Sequence, residues 1–439
     1  MQEDHDLLIR RIEEKVRQRL HPFHDKDGQV VSLSIVGGRN MPILEEVWEL
    51  TSLQDLSLIR FQLELLPFEL GRLTELHSLH LKHCFLGAFP VALPSLSRLV
   101  ALDMQDTYLR EIPPLVFSFP ALRELHLERC SLRQISADIG QLQQLEDLYL
   151  QGNRLTALPS ALGNLERLRY LDLASNPFEH FPECICTLPR LERLSFSQAP
   201  FSSLPPAIGQ LTSLLDLKLT DTGVQELPQE IGQLTSLTDL SLAHTPLQSL
   251  PEEIGQLVSL ERLSLAHTPL QALPDALWAL TNLHTLDLGF MPLHTLSPGI
   301  GRLHRLVDLS LAMTRLTALP SEIWTLSSLI ELSLVGLGLH ELPPEIGNLT
   351  NLQMLDLSHN HLRHLPAEMR NLRALTELDI SENEFVALPQ MLASLPALEN
   401  LQIYPMARLR FPPREVLSQG TEAVLMYLRS NTYADDEEQ

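Results

Sequence analysis

The sequence predicts an α/β solenoid of about 17 stacked units, with parallel strands side by side and a helical cap at each end. Three observations carry this expectation. A Leu-x-x-Leu-x-Leu frame returns every 23 residues. Apolar residues make up 44% of the chain but aromatics only 5%, so leucine must form the core. The 31 prolines and 19 glycines are spread evenly rather than gathered in a linker, as a turn recurring in every unit requires.

The frame opens at Val30, Leu33 and Ile35, continues at Leu53, Leu56 and Leu58, and runs on to Leu398. Between 30 and 398 it gives 17 registers without an insertion. A complete unit is LEDLYLQGNRLTALPSALGNLER, residues 145–167. With Leu145 as position 1, the leucines at 4 and 6 alternate as in a short strand. Positions 2, 3, 5, 7 and 8 then point away from the leucine core. Pro at position 15 and Gly at 19 break regular structure on the far side, where apolar residues at 11, 14, 18 and 21 turn back under the strand. One unit cannot bury these leucines alone, but a stack can. The pattern is identified as a leucine-rich repeat of the LP-containing, 23-residue class typical of intracellular and bacterial proteins. The resemblance implies a leucine-rich-repeat horseshoe with a concave parallel β-sheet. At about 4.8 Å per strand its inner face would extend roughly 75–80 Å, which suits a macromolecule better than a small ligand.

End units expose core unless capped. Residues 1–29 are therefore expected to form an N-terminal helical cap, 30–411 the solenoid, and 412–439 a C-terminal helical cap with an acidic tail. HDLLIRRIEEKVRQRL, residues 5–20, places Leu8, Ile9, Ile12, Val16 and Leu20 on one helical face. A second helix from about Thr421 should turn Val424, Leu425 and Leu428 inward, leaving ADDEEQ disordered. This tail resembles that of bacterial Roco proteins and their relatives, through Pro412, Pro413, Glu415, Val416, Gln419, Gly420, Ala423, Tyr427 and Leu428. The N-terminal IRRIEEKVRQRL followed by VVSLSI is similar to the opening of such proteins. The resemblance implies a region that regulates or recruits to a Ras-like GTPase. No GxxxxGK[ST] phosphate loop or Gly-Lys dipeptide occurs, so nucleotide binding does not carry over.

A formal charge of −23 argues against nucleic acid or an acidic membrane surface as partner. No apolar run is long enough to span a bilayer, and MQEDHDLLIRRIEE lacks the apolar core of a signal peptide. Cys84, Cys130, Cys184 and Cys186 make no secreted disulfide framework. A cytoplasmic protein is expected, with export by a specialised bacterial system as the alternative. HExxH, a nucleophile elbow and paired-cysteine zinc spacing are all lacking, so neither cofactor nor catalysis is expected. Repeated carboxylates such as Asp216 with Asp239, or Asp356 with Asp379, could be spaced like a glycosidase dyad but have no pocket to desolvate them. The nonapeptide LSLAHTPLQ occurs twice and sets His244 and His267 one repeat apart; two ligands without a third make a poor metal site.

The expected function is a non-enzymatic protein–protein interaction scaffold that takes a protein or peptide on its concave face. A downstream domain or a second copy are further candidate partners. The alternatives are a standalone effector-like repeat protein that recognises a foreign partner, and a hydrolase using the concave carboxylates. The expected contact residues fall into strips along the face. Arg60, Lys82, His83, His126 and Arg129 form a basic strip, followed by the aromatic pair Tyr149 and Tyr170. Asp216, Asp239 and Arg262 come next, then the rim residues His244, His267, Phe290 and Met313, and finally the acidic Asp356 and Asp379.

Overall fold

The computed structural model describes residues 5–38, 44–63, 66–86, 96–405 and 408–431, so the acidic tail lies outside the described residues. The chain forms two compact units, Met1–Gly223 and Val224–Gln439.

The first unit opens with the expected helix, but it spans only His5–Val16. Arg17 takes a left-handed φ of 52°, and the chain leaves the helix there. Leu20 is still buried, because its N–H donates to the Glu13 carboxylate at 2.7 Å and folds the exit strand back. The rest of this cap is not helical: Phe23–His24 pairs antiparallel with Val30–Val36. From Val30–Val36 onward the strands run parallel, each registered on the residue 23 further on, as in Asp147 to Tyr170 and Tyr170 to Arg193. The second unit carries eight such strands among the described residues, from Asp239–Ser241 to Asn400–Gln402. It ends in helices Arg414–Leu417 and Thr421–Ser430, the latter burying Val424, Leu425 and Leu428 as expected.

Between strands the chain makes single five-residue 3₁₀-helices rather than α-helices, for example Ser160–Asn164 after Pro159. The residue before this helix is extended whether it is Pro159, Ser136 or Ser297, and the helix is equally short after each, so the proline pre-sets a backbone that the repeat adopts in any case. The glycine at position 19 lets neighbouring turns close up: a Cβ on Gly255 would lie 2.6 Å from the Ala276 carbonyl oxygen. Among the described residues regular α-helix is found only in the caps, and the expected solenoid of parallel strands is built with 3₁₀ turns on its return limb. Inside each unit the leucines stack in columns; Leu145, Leu148 and Leu150 are wholly buried.

Position 9 closes the turn that leaves each strand. The Asn153 Oδ1 accepts from the N–H groups of Cys130 and Leu132, both at 3.0 Å. Its Nδ2 donates to the carbonyls of Leu127 at 2.8 Å and Leu150 at 2.7 Å, so one side chain ties two repeats together. Threonine reaches less far: Thr245 and Thr268 donate only to the carbonyls of Leu242 and Leu265, within their own repeats. Leu337 has no polar group to offer at this position. Its repeat is served by the next one, where Asn360 donates to the Leu334 carbonyl and accepts from the Leu339 N–H. Asn153→Ala should therefore cost about 3 kcal/mol, because buried backbone groups lose their partners, whereas Thr245→Ala should cost about 1 kcal/mol. Urea unfolding of the two variants checks this; an equal shift in midpoint would refute the two-repeat role of the asparagine.

Candidate interaction surfaces

At position 8 the strand turns outward through left-handed backbone. From Arg60 to Glu382 every non-glycine residue at this position has φ between 51° and 66°. The turn is held because the position-8 N–H still bonds to the next repeat, as in His267 to the Gly289 carbonyl at 2.8 Å and Phe290 to that of Ala312 at 2.6 Å. A left-handed residue costs about 1–2 kcal/mol, and the hydrogen bond offsets it in the repeats that form it. Side chains at position 8 consequently stand in a column along the rim of each sheet.

In the first unit, the expected basic strip is neutralised from within. Arg129 makes a two-pronged pair with Asp106 at 2.7 and 2.8 Å, and His83 approaches the same carboxylate at 3.3 Å. Lys82 and His80 converge on Asp103 at 2.9 and 3.3 Å. Burial pushes the Asp103 carboxyl up, but hydrogen bonds from His80, Lys82 and the Gln105 N–H overcome it and hold it at about 2. His126 pairs with the buried Glu128 at 3.3 Å. The cations expected to reach a partner are thus largely committed to acids of their own face. Arg60 occupies the rim column, with φ 61°.

The aromatic pair is larger than the sequence suggested. The His126 ring stacks on Tyr149 at 4.1 Å, Tyr149 meets Tyr170 at 4.7 Å, and the Arg193 guanidinium lies 4.6 Å above Tyr170. The four form one ladder across successive strands. Arg193 went unnoticed in the sequence, although the 23-residue register places it directly opposite Tyr170. Burial pushes the hydroxyls of Tyr149 and Tyr170 up, so both stay protonated and able to donate. Asp216 lies 3.5 Å from Lys218.

In the second unit, Arg262 clasps Asp239 with two nitrogens, one at 2.8 Å. The duplicated nonapeptide places His244 on His267 at 4.1 Å with planes 14° apart, and His267 on Phe290 at 4.1 Å. These rings lie face to face rather than converging on a common point. Among the described residues no group of three or more His, Cys, Asp or Glu could hold a metal ion. Met313 continues the column and lies over Gly336, where a Cβ would be 2.4 Å from its sulfur. Phe290 and Met313 are 51% and 39% exposed.

Asp356 and Asp379 are register partners, and each accepts a backbone N–H two residues on, at 2.9 and 2.8 Å. They share an open recess of about 240 Å³ with Asp308, Glu331 and Glu377. Burial, then repulsion from Glu331 and Asp287, pushes the Asp308 carboxyl up to about 6. Its protonated form is therefore favoured in the fold: this contribution to stability is complete below about pH 4 and is lost as pH rises through about 6. Asp308→Asn should stabilise the protein at about pH 7.5 by about 1 kcal/mol, allowing for partial exposure, and leave it unchanged near pH 4. Asp103 has the opposite sign, since its depressed value favours the fold above about pH 4 and the benefit disappears as pH falls through about 2. Urea midpoints of Asp308→Asn against pH test the first statement; a stabilisation that persists at pH 4 would contradict it.

A leucine-rich repeat region family matches residues 107–222 and 332–417. No curated protein sequence matches the chain. Among solved structures, a leucine-rich-repeat protein of Leptospira interrogans is 31% identical with a TM-score of 0.71, over 85% of this chain and 90% of that one. The ectodomain of the Arabidopsis thaliana membrane receptor kinase GASSHO1/SCHENGEN3, in complex with Casparian strip integrity factor 2, is 26% identical with a TM-score of 0.62. That match covers 87% of this chain and 57% of the receptor chain. An internalin of Listeria monocytogenes, 19% identical with a TM-score of 0.55, shares the fold over 92% of this chain and 96% of its own. Among the described residues no helix is long and apolar enough to cross a membrane. With its repeat frame, its register and these likenesses, the chain belongs to the leucine-rich-repeat family.

Proposed function

We propose that this chain is a non-enzymatic scaffold that holds a protein or peptide on its concave face. The observation that carries this reading is the ladder His126–Tyr149–Tyr170–Arg193. Aromatic and arginine side chains dominate the energetics of protein contacts. Here each is already fixed by its neighbour, so a partner meets surfaces that lose little rotamer freedom on binding. The GASSHO1/SCHENGEN3 leucine-rich-repeat ectodomain, a longer chain, forms a complex with Casparian strip integrity factor 2, which supports a binding role here. Of the repeated carboxylate pairs, Asp216 and Asp239 are held by lysine and arginine, and Asp356 and Asp379 accept backbone N–H groups in an open recess, a poor setting for hydrolysis.

The finer reading, a region that serves a Ras-like GTPase in a reducing cytoplasm, rests on the tail and on the thiols. Tyr427 packs on Phe411 at 5.4 Å and Leu428 is buried, so part of the shared motif acts as the cap of the last repeat. Cys84 and Cys130 are free and buried, in keeping with a reducing compartment.

The concave-face reading can be tested with a photo-crosslinking residue placed at Tyr149, and at the exposed Gln141 on the return limb as control. A partner should be trapped from Tyr149 alone. Tyr149→Ala/Tyr170→Ala should then weaken its binding by about 2 kcal/mol or more without moving the urea midpoint appreciably. Trapping from both positions, or an unchanged affinity, would sink the reading.

A further inference from the structure

The second unit carries a trough floored by small residues. Position 7 holds Gln105, Glu128 and Gln151 and then Ala174, Ser197 and Thr220 in the first unit, but four of the smallest side chains in succession, Ala243, Ala266, Gly289 and Ala312, in the second. One wall of the trough is the rim column, in which His244, His267 and Phe290 are continuous by ring stacking and Met313 follows at the next position, all four exposed. The other is the position-5 line of Ser241, Ser264, Asp287 and Ser310, which runs on into Asp356 and Asp379. The floor lies close beneath that line, for a Cβ on Gly289 would sit 3.2 Å from the Asp287 carboxylate and 3.3 Å from the Ser310 hydroxyl.

In the first unit, Asp103, Asp106 and Glu128 each have a cation of their own face, while Glu124, Asp147 and Asp172 have none among the described residues. In the second, the arginine pairs go to Asp239, Glu261 and Glu384. Among the described residues no lysine, arginine or histidine pairs with Asp287, Asp308, Glu331, Asp356, Glu377 or Asp379. A row of acids this close is repulsive unless something of opposite sign covers it. The adjacent ridge is apolar and aromatic, a surface of the kind that marks a contact.

We infer that the trough of the second unit receives an extended, cation-bearing segment of a partner protein, with Lys or Arg side chains on the acidic line and an aromatic or long apolar side chain on the Phe290–Met313 ridge. This rests on the concave-face reading and names the chemistry of one partner class for it. An extended segment turns alternate side chains to opposite sides, so a single strand can serve both the line and the ridge. The narrow floor excludes side chains of the trough itself from competing for the space. His267 stacks flat on Phe290, which widens the ridge without adding an exposed edge.

The test is a selection of random peptides displayed on phage against the whole chain. Recovered peptides should combine Lys or Arg with an aromatic or long apolar residue. Made synthetically, they should bind at least about tenfold more weakly to Phe290→Ala/Met313→Ala and to Ala312→Gln, which fills the trough. Both ridge residues are exposed, so the fold does not depend on them. Glu331→Gln/Glu377→Gln, which removes two charges from the acidic line, should weaken binding by a similar factor, whereas Glu252→Gln/Glu345→Gln, on exposed return-limb sites, removes the same charge elsewhere and should leave binding unchanged. Equal weakening by that control would reduce the effect to diffuse charge attraction and overturn the inference, as would peptides without cations. Peptides that depend on Tyr149 and Tyr170 instead would overturn it while leaving the concave-face reading intact. Peptides indifferent to both sets, or no enrichment at all, would count against both.

Discussion

The constraint on which the rest of this structure depends is the fixed spacing between parallel strands. Neighbouring strands lie about 4.8 Å apart, and the register advances by 23 residues at each step within a unit. Every side chain therefore meets the same position of the next repeat at nearly contact distance. Leucines at positions 4 and 6 satisfy this by stacking into a dry core. Flat rings satisfy it too, and the 4.1 Å separations along the rim follow from the strand spacing. Carboxylates do so only at a cost: burial first, and then repulsion from Glu331 and Asp287, pushes the Asp308 carboxyl up to about 6. One geometric rule thus yields both the stability of the core and the tension of the acidic face.

Much of the fold could be read from the sequence because the rule is periodic. The leucine frame located the strands, and the helical face of Leu8, Ile9, Ile12 and Val16 located the first cap. The missing details are those set by local geometry rather than by period. The return limb is a five-residue 3₁₀ turn with or without a proline at position 15, as after Pro159 and after Ser136. The exit from the first helix depends on one carboxylate, Glu13, that accepts a backbone N–H seven residues on.

The interaction surfaces were legible by column and obscure by pair. The aromatic strip was visible at Tyr149 and Tyr170, yet its extension to Arg193 requires laying successive repeats side by side. The pairing within the basic strip is hidden for the same reason. Arg129 and Lys82 are matched by acids in the adjoining repeat: Asp106 lies 23 residues before Arg129, and Asp103 lies 21 residues beyond Lys82. Composition along the chain reports charge; only the stacked arrangement reports which charge remains uncompensated.

The left-handed turn at position 8 has an evolutionary consequence. Its backbone hydrogen bond holds the turn whatever the side chain, and that side chain contributes nothing to the leucine core. Substitution there can change recognition with little penalty in folding. The position nevertheless has a restricted alphabet. From Arg60 to Glu382 it holds Arg, His, Asp, Gly, Ser, Gln, Phe, Met and Glu, and never Val, Ile or Thr. Branching at Cβ crowds the left-handed backbone, so the rim can vary widely in charge and size but only with unbranched shapes. Diversification of this column is therefore filtered by backbone sterics before any partner selects among the survivors.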